Sequence, residues 1–436
     1  MRIYVTTLPP LLYRGIVLAA ALLVTAPPAR AQIRVPPITL PSAPAVTNLT
    51  RDVSNVAASA VGGALTEVRS VRIQELLNAN RAVLDRDRGG NLIVRGEIIA
   101  FVPKERAQQL PRFSGVTIAR HEPIAGLDLE VLVLAVPADR SIHRVLKELR
   151  KSDPTTVYDY NHIYLGVGDA AQPPPVPIPA EQQTTSRRAD TQPSVGMIDS
   201  GVDTAHPSLA RSVVVSWGCD STTPAMHGTA VASLIAGDDT AFRGAVPQAN
   251  LFAADVFCGR PTGGAVDAVA RAFGWLLDRG VKVVNVSLVG PRNLALEAVI
   301  ARVQAAGQVV VAAVGNDGPA APPLYPAAYP GVVGVTGVDA RRHVLLEANR
   351  GPQVRFAAPG ADMLAAAVGA GYQPVRGTSF AAPIVAGILA AQCAAHENAC
   401  GARGVEELSK QAVRLGPPPV YGAGLVGESV RTPSQN

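Results

Sequence analysis

Gly377-Thr378-Ser379-Phe380-Ala381-Ala382-Pro383 is the stretch from which the rest of the chain is read. A glycine turn leads into a small-residue apolar run, Ile384-Val385-Ala386-Gly387-Ile388-Leu389. That pattern predicts a buried helix with a serine in its first turn. Such a turn carries backbone N–H groups without intrahelical partners and the positive end of the helix dipole, a setting suited to a developing oxyanion. Taken alone, a serine there reads as an N-cap. To act as a nucleophile it needs a general base, and the base needs an acid to orient it.

Two other stretches supply both. Ser194-Val195-Gly196-Met197-Ile198-Asp199-Ser200-Gly201 reads as an apolar strand ending in an acid and a glycine turn, and His227-Gly228-Thr229-Ala230-Val231-Ala232 puts a histidine at the start of a second apolar helix. Asp199, His227 and Ser379 each stand at a strand end or a helix start, where open α/β sheets place their sites. Predicted strands at 251–257, 281–288 and 308–314 alternate with helices at 265–277 and 294–306. Their continuous Val/Ala runs predict a parallel sheet covered by helices on both faces. An esterase of the α/β-hydrolase type is excluded, because its order is serine, acid, histidine and its elbow is Gly-x-Ser-x-Gly, whereas Ala381 stands at the last elbow position here.

In these three motifs and their order the chain resembles the subtilisin-like (subtilase) serine peptidases. A fourth match is Ala312-Ala313-Val314-Gly315-Asn316-Asp317-Gly318, the stretch that carries the family's oxyanion asparagine, and the resemblance covers roughly residues 192–430. It implies that Ser379 attacks the scissile carbonyl, His227 is general base and then acid, Asp199 orients the imidazole, and Asn316 stabilises the oxyanion. It also implies that Ser287, Leu288 and Val289 line the substrate strand and that Gly315 lets substrate approach. The floor of the pocket for the residue before the scissile bond (P1) then falls at Leu324, in Pro323-Leu324-Tyr325-Pro326. Many relatives have glycine at the positions of Val289 and Leu324, so branched side chains there predict small or medium apolar P1 residues such as Ala, Val or Leu. His206 in His206-Pro207-Ser208-Leu209 matches a structural histidine. Ala230 and Phe380 depart from commoner family residues. The segment 237–244, with Asp238 and Asp239, is shorter than the loop that holds calcium in many relatives. Two carboxylates are a thin basis for a hard cation that wants about six to eight oxygens, so the expectation is no metal and no cofactor. Structural calcium would be an addition without support in the sequence.

Length and composition fit this reading. The 436 residues predict more than one domain, 48% hydrophobic content suffices for a large core, and 4% aromatic content makes that core Ala/Val/Leu-built. A net charge of +5, with no basic run interleaved with aromatics, gives nucleic-acid binding no support. Arg14, the apolar run 16–24 and Ala29-Arg30-Ala31 form a secretory leader over 1–31. The expected location is therefore secreted or periplasmic, with no stable membrane span after cleavage and nothing later of spanning length. The four cysteines, Cys219, Cys258, Cys393 and Cys400, allow three disulfide connectivities. The favoured pairs are Cys219 with Cys258, tying two rim loops, and Cys393 with Cys400 across a helix end.

The expected domains are the leader, a Pro/Ala-rich linker and helix (32–90), an α+β domain (91–168), a Pro-rich linker (169–191) and the catalytic domain (192–436). In the second of these, 66–86 reads as a helix with Ile73, Leu76, Leu77 and Leu84 on one face. Strands at 96–102, 116–120, 129–136 and 156–165, with helices at 104–110 and 140–151 (the latter capped by Asp139), give β-α-β-β-α-β, a ferredoxin-like order. Its place ahead of a subtilase-like domain resembles the family's propeptide, which serves as intramolecular chaperone and inhibitor, with the chain after its last strand lying in the cleft. Pro173-Pro174-Pro175-Val176-Pro177-Ile178-Pro179 and Arg187-Arg188 mark an accessible linker, so maturation is expected within 166–190. Together these readings predict a serine endopeptidase made as a zymogen and acting on protein or peptide substrates. The rival is a catalytically inactive subtilase fold used as a binding or adhesion module, which a fluorophosphonate probe would leave unlabelled.

Overall fold

Seven of the apolar runs align as one parallel sheet. In the computed structural model β7 (Ser194–Asp199), β8 (Val213–Trp217), β9 (Asn250–Asp255), β10 (Val283–Val286), β12 (Val309–Ala313), β13 (Val333–Val338) and β14 (Val354–Pro359) take the order β14-β13-β12-β10-β7-β9-β8. Every neighbouring pair is parallel. The structure describes residues 69–107, 115–166 and 192–432, apart from 220–222, 241, 261 and 397–398. The leader at 1–31, the linker stretch 32–65 and the linker carrying the proline run and Arg187-Arg188 lie outside the described residues.

The Val/Ala runs serve two cores at once. Val195, Met197, Val283, Val309, Val311 and Ala313 face one side, under α4 (Met226–Ala236) and α7 (Thr378–Ala395). Ile198, Val284, Val286, Val310, Ala312 and Val314 face the other, under α5 (Val266–Asp278) and α6 (Leu294–Ala305). Successive strand residues point to opposite faces, so a strand buried on both faces has no polar partner to alternate with. Among the described residues α7 is also long and apolar enough to cross a membrane, contrary to the expectation that nothing beyond the leader is; 67% of it is buried inside the protein, as befits a core helix.

The N-terminal elements form a second layer on α5 and α6. β2 (Leu92–Pro103), β3 (Thr117–Ile124), β4 (Leu129–Ala135) and β5 (Tyr158–His162) pair antiparallel in the order β5-β2-β4-β3, with α2 (Lys104–Ala107) and α3 (Ile142–Ser152) between strands. One face, Ile98, Ala100, Val102, Leu132 and Leu134, packs on Val145, Leu146 and Leu149 of α3. The other face, Ile99, Phe101, Val131 and Val133, shares the core of α5 and α6. Gly274 of α5 permits this closeness, since a Cβ there would lie 2.4 Å from Ile124 Cγ2 and 2.6 Å from the Ala125 carbonyl.

Several boundaries differ from the sequence reading: the strand expected at 116–120 runs on to Ile124, and the one expected at 156–165 divides into Tyr158–His162 and Leu165–Gly166. The helix expected at 66–86 ends at 79, and Leu84–Arg86 is instead a strand, β1, on the edge of β2. Leu84 fits both the helical spacing and a buried strand end, and pairing with β2 decides between them. β2 begins at Leu92 rather than 96, and α3 is preceded by Ser141, not capped by Asp139. The helix at 69–79, α1, lays Ile73, Leu76 and Leu77 against Leu84, Leu92, Val94, Ile163, Leu165 and Ala265.

Candidate active site

Asp199 ends β7 at the carboxyl edge of the sheet and is fully buried. Its Oδ1 accepts from the Ser200 N–H at 2.7 Å and the Ser200 hydroxyl at 3.0 Å, and lies 2.8 Å from His227 Nδ1. The Ser200 hydroxyl also accepts from the Gly228 N–H at 3.0 Å, joining the strand end to the first turn of α4, where His227 sits. An imidazole held through Nδ1 turns Nε2 to the opposite side, the arrangement a general base requires. Asp199 Oδ2 is buried with no hydrogen-bond partner among the described residues.

Ser379 occupies the first turn of α7, also fully buried. The ring of the next residue, Phe380, lies 5.4 Å from the His227 ring, centroid to centroid. Pro383 has no N–H to give back to the carbonyl of Ser379, four residues earlier, and the Ser287 hydroxyl donates to that oxygen instead at 2.9 Å. Gly377 has φ +143°, and a Cβ on it would lie 2.7 Å from Asn316 Nδ2 and 3.6 Å from Ser379 Oγ, so the amide nitrogen and the serine hydroxyl flank the same spot. Asn316 is oriented through its other atom: Oδ1 accepts from the Thr378 N–H at 3.1 Å and the Thr378 hydroxyl at 3.0 Å. Thr378 Oγ1 in turn accepts from the Gly315 N–H at 3.2 Å. The helix start thus uses one orphan donor to aim an amide at the place where charge would develop.

The expected substrate strand is already paired. β6 (Leu165–Gly166) runs antiparallel to β11 (Leu288–Val289), with Leu165 opposite Val289 and Gly166 opposite Leu288. On its other side the Tyr164 N–H donates to the Gly264 carbonyl at 2.9 Å, and Ile163 bridges Ala265. Residues 163–166 therefore lie as a third strand between two edges of the catalytic layer. The Leu324 side chain covers Gly315, since a Cβ on Gly315 would be 2.5 Å from Leu324 Cδ1. Val289 and Leu324 belong to one buried cluster.

Several contributors escaped the sequence reading. Asp255 stands in register with Asp199 on the neighbouring strand. Burial pushes its carboxyl up, the Cys258 and Phe257 N–H groups draw it down, and the charge of Asp199 adds to the rise. An acid closing an apolar run at Leu251-Phe252-Ala253-Ala254-Asp255 was the available signal. Arg69 of α1 reaches Asp317, next to Asn316, with Nε 3.2 Å from the carboxylate. Burial raises the Asp317 carboxyl, and Arg69 opposes that. Asn161 and Arg120 of the N-terminal layer both donate to Asp267 in the first turn of α5, each at 3.0 Å.

The remaining sequence expectations concern the rim. Disulfides join Cys219 to Cys258 and Cys393 to Cys400. His206 is buried, 2.9 Å from Ser208 Oγ and 2.8 Å from the Gly371 carbonyl. In 237–244 protein groups already engage both acids: Asp238 holds Arg211 and Gln248, and Asp239 accepts from the Phe242 N–H and the Tyr372 hydroxyl.

Residues 190–424 match the Subtilase family of S8 peptidases. Subtilisin E of Bacillus subtilis is 30% identical over 297 residues, covering 65% of this chain and 77% of its own. Thermitase of Thermoactinomyces vulgaris is 33% identical over 203 residues, 44% of this chain and 72% of its own. The crystal structure of fervidolysin from Fervidobacterium pennivorans shares the fold at a TM-score of 0.64 and 20% identity, over 80% of this chain and 63% of its own.

Proposed function

The chain belongs to the subtilase family of serine endopeptidases, and on that premise we propose that it is a secreted or periplasmic zymogen whose residues 69–166 act as its own inhibitor and folding aid. Ser379 Oγ attacks the scissile carbonyl while His227 Nε2 takes its proton, and Asp199 stabilises the imidazolium through Nδ1. Asn316 Nδ2 and the Ser379 N–H receive the oxyanion. His227 then protonates the leaving amine, which departs as the acyl-enzyme forms. Water, deprotonated by the same imidazole, adds to the ester and releases the new carboxylate together with Ser379.

The observation that carries the zymogen reading is the pairing of Leu165–Gly166 with Leu288–Val289. A segment lying ahead of the proline-rich linker fills the cleft as the acyl side of a product would, so the first cut falls just beyond Gly166, at the start of the 166–190 stretch. After that cut the strand stays bound and inhibits, supported by the sheet on α5 and α6. Val289 and Leu324 leave a shallow P1 pocket suited to Ala, Val or Leu. The leader at 1–31 and the two disulfides support an exported, oxidising setting. Labelling of the processed protein by a fluorophosphonate probe tests the activity. Absence of labelling, with Ser379 intact and the fold retained, rejects it in favour of a binding module.

A further inference from the structure

The side chain of Tyr164 is wholly buried, and its hydroxyl meets groups from beyond residue 192. Its hydroxyl donates to the Pro291 carbonyl at 2.7 Å and lies 3.2 Å from the Tyr329 hydroxyl. Tyr329 is itself fixed, accepting from the Asn293 N–H at 2.9 Å and donating to the Asn293 carbonyl at 2.8 Å. Asn293 caps α6 through its side chain, at 2.9 Å from the Leu296 N–H. Gly290 makes the room: a Cβ on it would sit 2.6 Å from the Tyr164 ring. Burial holds the phenol well above its ordinary range, so it is a neutral donor here.

A side chain supplied by one segment thus fits a slot in another, with a carbonyl acceptor at its end. From this we infer that the cleft has a subsite that reads a tyrosine hydroxyl, and that substrates with tyrosine where Tyr164 now lies are preferred to those with phenylalanine. The inference rests on the reading that residues 163–166 occupy the place of substrate. Once they leave, the Pro291 carbonyl and the Tyr329 hydroxyl stand at the end of an apolar slot. A tyrosine restores the hydrogen bond to the Pro291 carbonyl, whereas a phenylalanine fills the slot and leaves that carbonyl short of a donor. A site built around a substrate hydroxyl rejects the analogue without it more strongly than an apolar pocket rejects a change of size. One neutral hydrogen bond, whose absence leaves the Pro291 carbonyl without its donor, gives a preference of about tenfold.

The experiment uses the processed wild-type enzyme and a peptide with the chain's own sequence from residue 161 to 172, varied at position 164 among Tyr, Phe, Leu and Ala. The expected result is kcat/KM about tenfold higher for Tyr than for Phe, with Ala lowest. Tyr329→Phe releases Asn293, two residues from Pro291, so the Tyr-to-Phe ratio narrows as the acceptor loses its fixed position. In Gly290→Ala the Tyr peptide loses more than the Ala peptide. Equal cleavage of the Tyr and Phe peptides by the wild type overturns the hydroxyl reading and leaves the substrate-like placement standing. No cleavage of the Tyr peptide by enzyme that digests unfolded casein overturns the placement, and this inference with it. The wild-type series decides even if either variant fails to fold.

Discussion

Replacing Leu324 by glycine should shift the preferred P1 residue from Val or Leu to Phe. Leu324 is 9% exposed and rests on Gly315, one residue before Asn316, with Val289 in the same buried cluster. A phenyl ring entering between these two branched side chains would have to displace one of them. Overpacking of that kind costs about 1–3 kcal/mol, which is roughly 5–150-fold in kcat/KM when it falls wholly on the transition state. Removing the isobutyl group should return that factor to Phe while Val loses wall contact and changes little. The same deletion empties a buried site and should lower stability by about 2–5 kcal/mol, so Leu324→Ala, with less backbone freedom, belongs beside it. The assay is kcat/KM for peptides that differ only at P1. Equal or better cleavage after Phe by the wild type, unchanged in both variants, would refute the assignment of Leu324 to the pocket.

Three further outcomes follow from contacts described above. Thr378→Val removes the hydroxyl that joins the Gly315 N–H to Asn316 Oδ1; kcat should fall about tenfold with KM little changed, and an unchanged kcat would show that Asn316 is held by other means. Reduction should lower the melting temperature, because bridges over separations of 39 and 7 residues contribute about 4 and about 2 kcal/mol by loop closure; an unmoved transition would argue against both bonds. Acid should loosen the N-terminal layer. Burial disfavours ionised Asp87 and Asp153, but hydrogen bonds from His162 and Asn91 to the first, and from Thr155, Thr156 and Tyr158 with the charge of Arg106 to the second, outweigh it and hold both at about 2. Folded values below the unfolded one give stability that is complete above about pH 4 and lost as pH falls through about 2. Amide protection in that layer, taken relative to intrinsic exchange at each pH, should fall between about pH 4 and 2, and constant protection would contradict the sign.

The parts legible in the sequence were those whose meaning is local. An acid at a strand end, a histidine and a serine at helix starts, and Val/Ala runs without alternation are all short-range patterns, and each stands where its motif implied. Leu84 was misassigned because an apolar residue at helical spacing is equally at home in a short strand, and only pairing with β2 separates the two. Asp255, Arg69 and Tyr164 carried no motif. Their meaning comes from what they meet: Asp199 across a strand pair, Asp317 at the far end of a long excursion of the chain, and a slot made by Gly290, Pro291 and Tyr329. The spacing of 156–165 predicts one continuous strand, and the resemblance puts only the chain beyond it in the cleft. That residues 163–166 form the central strand between Gly264 and Leu288 depends on two edges that the sequence does not show as neighbours.

The central claim is that one site, Asp199, His227 and Ser379, both releases the N-terminal layer and cleaves substrate. Ser379→Ala tests it most directly, with intact mass and N-terminal sequencing of the purified protein in the absence of any other protease. The account predicts a chain that remains joined through residues 166–190, binds no fluorophosphonate and cleaves no peptide, while the wild type yields a new N-terminus just beyond Gly166. Normal processing of the Ser379→Ala protein would contradict it.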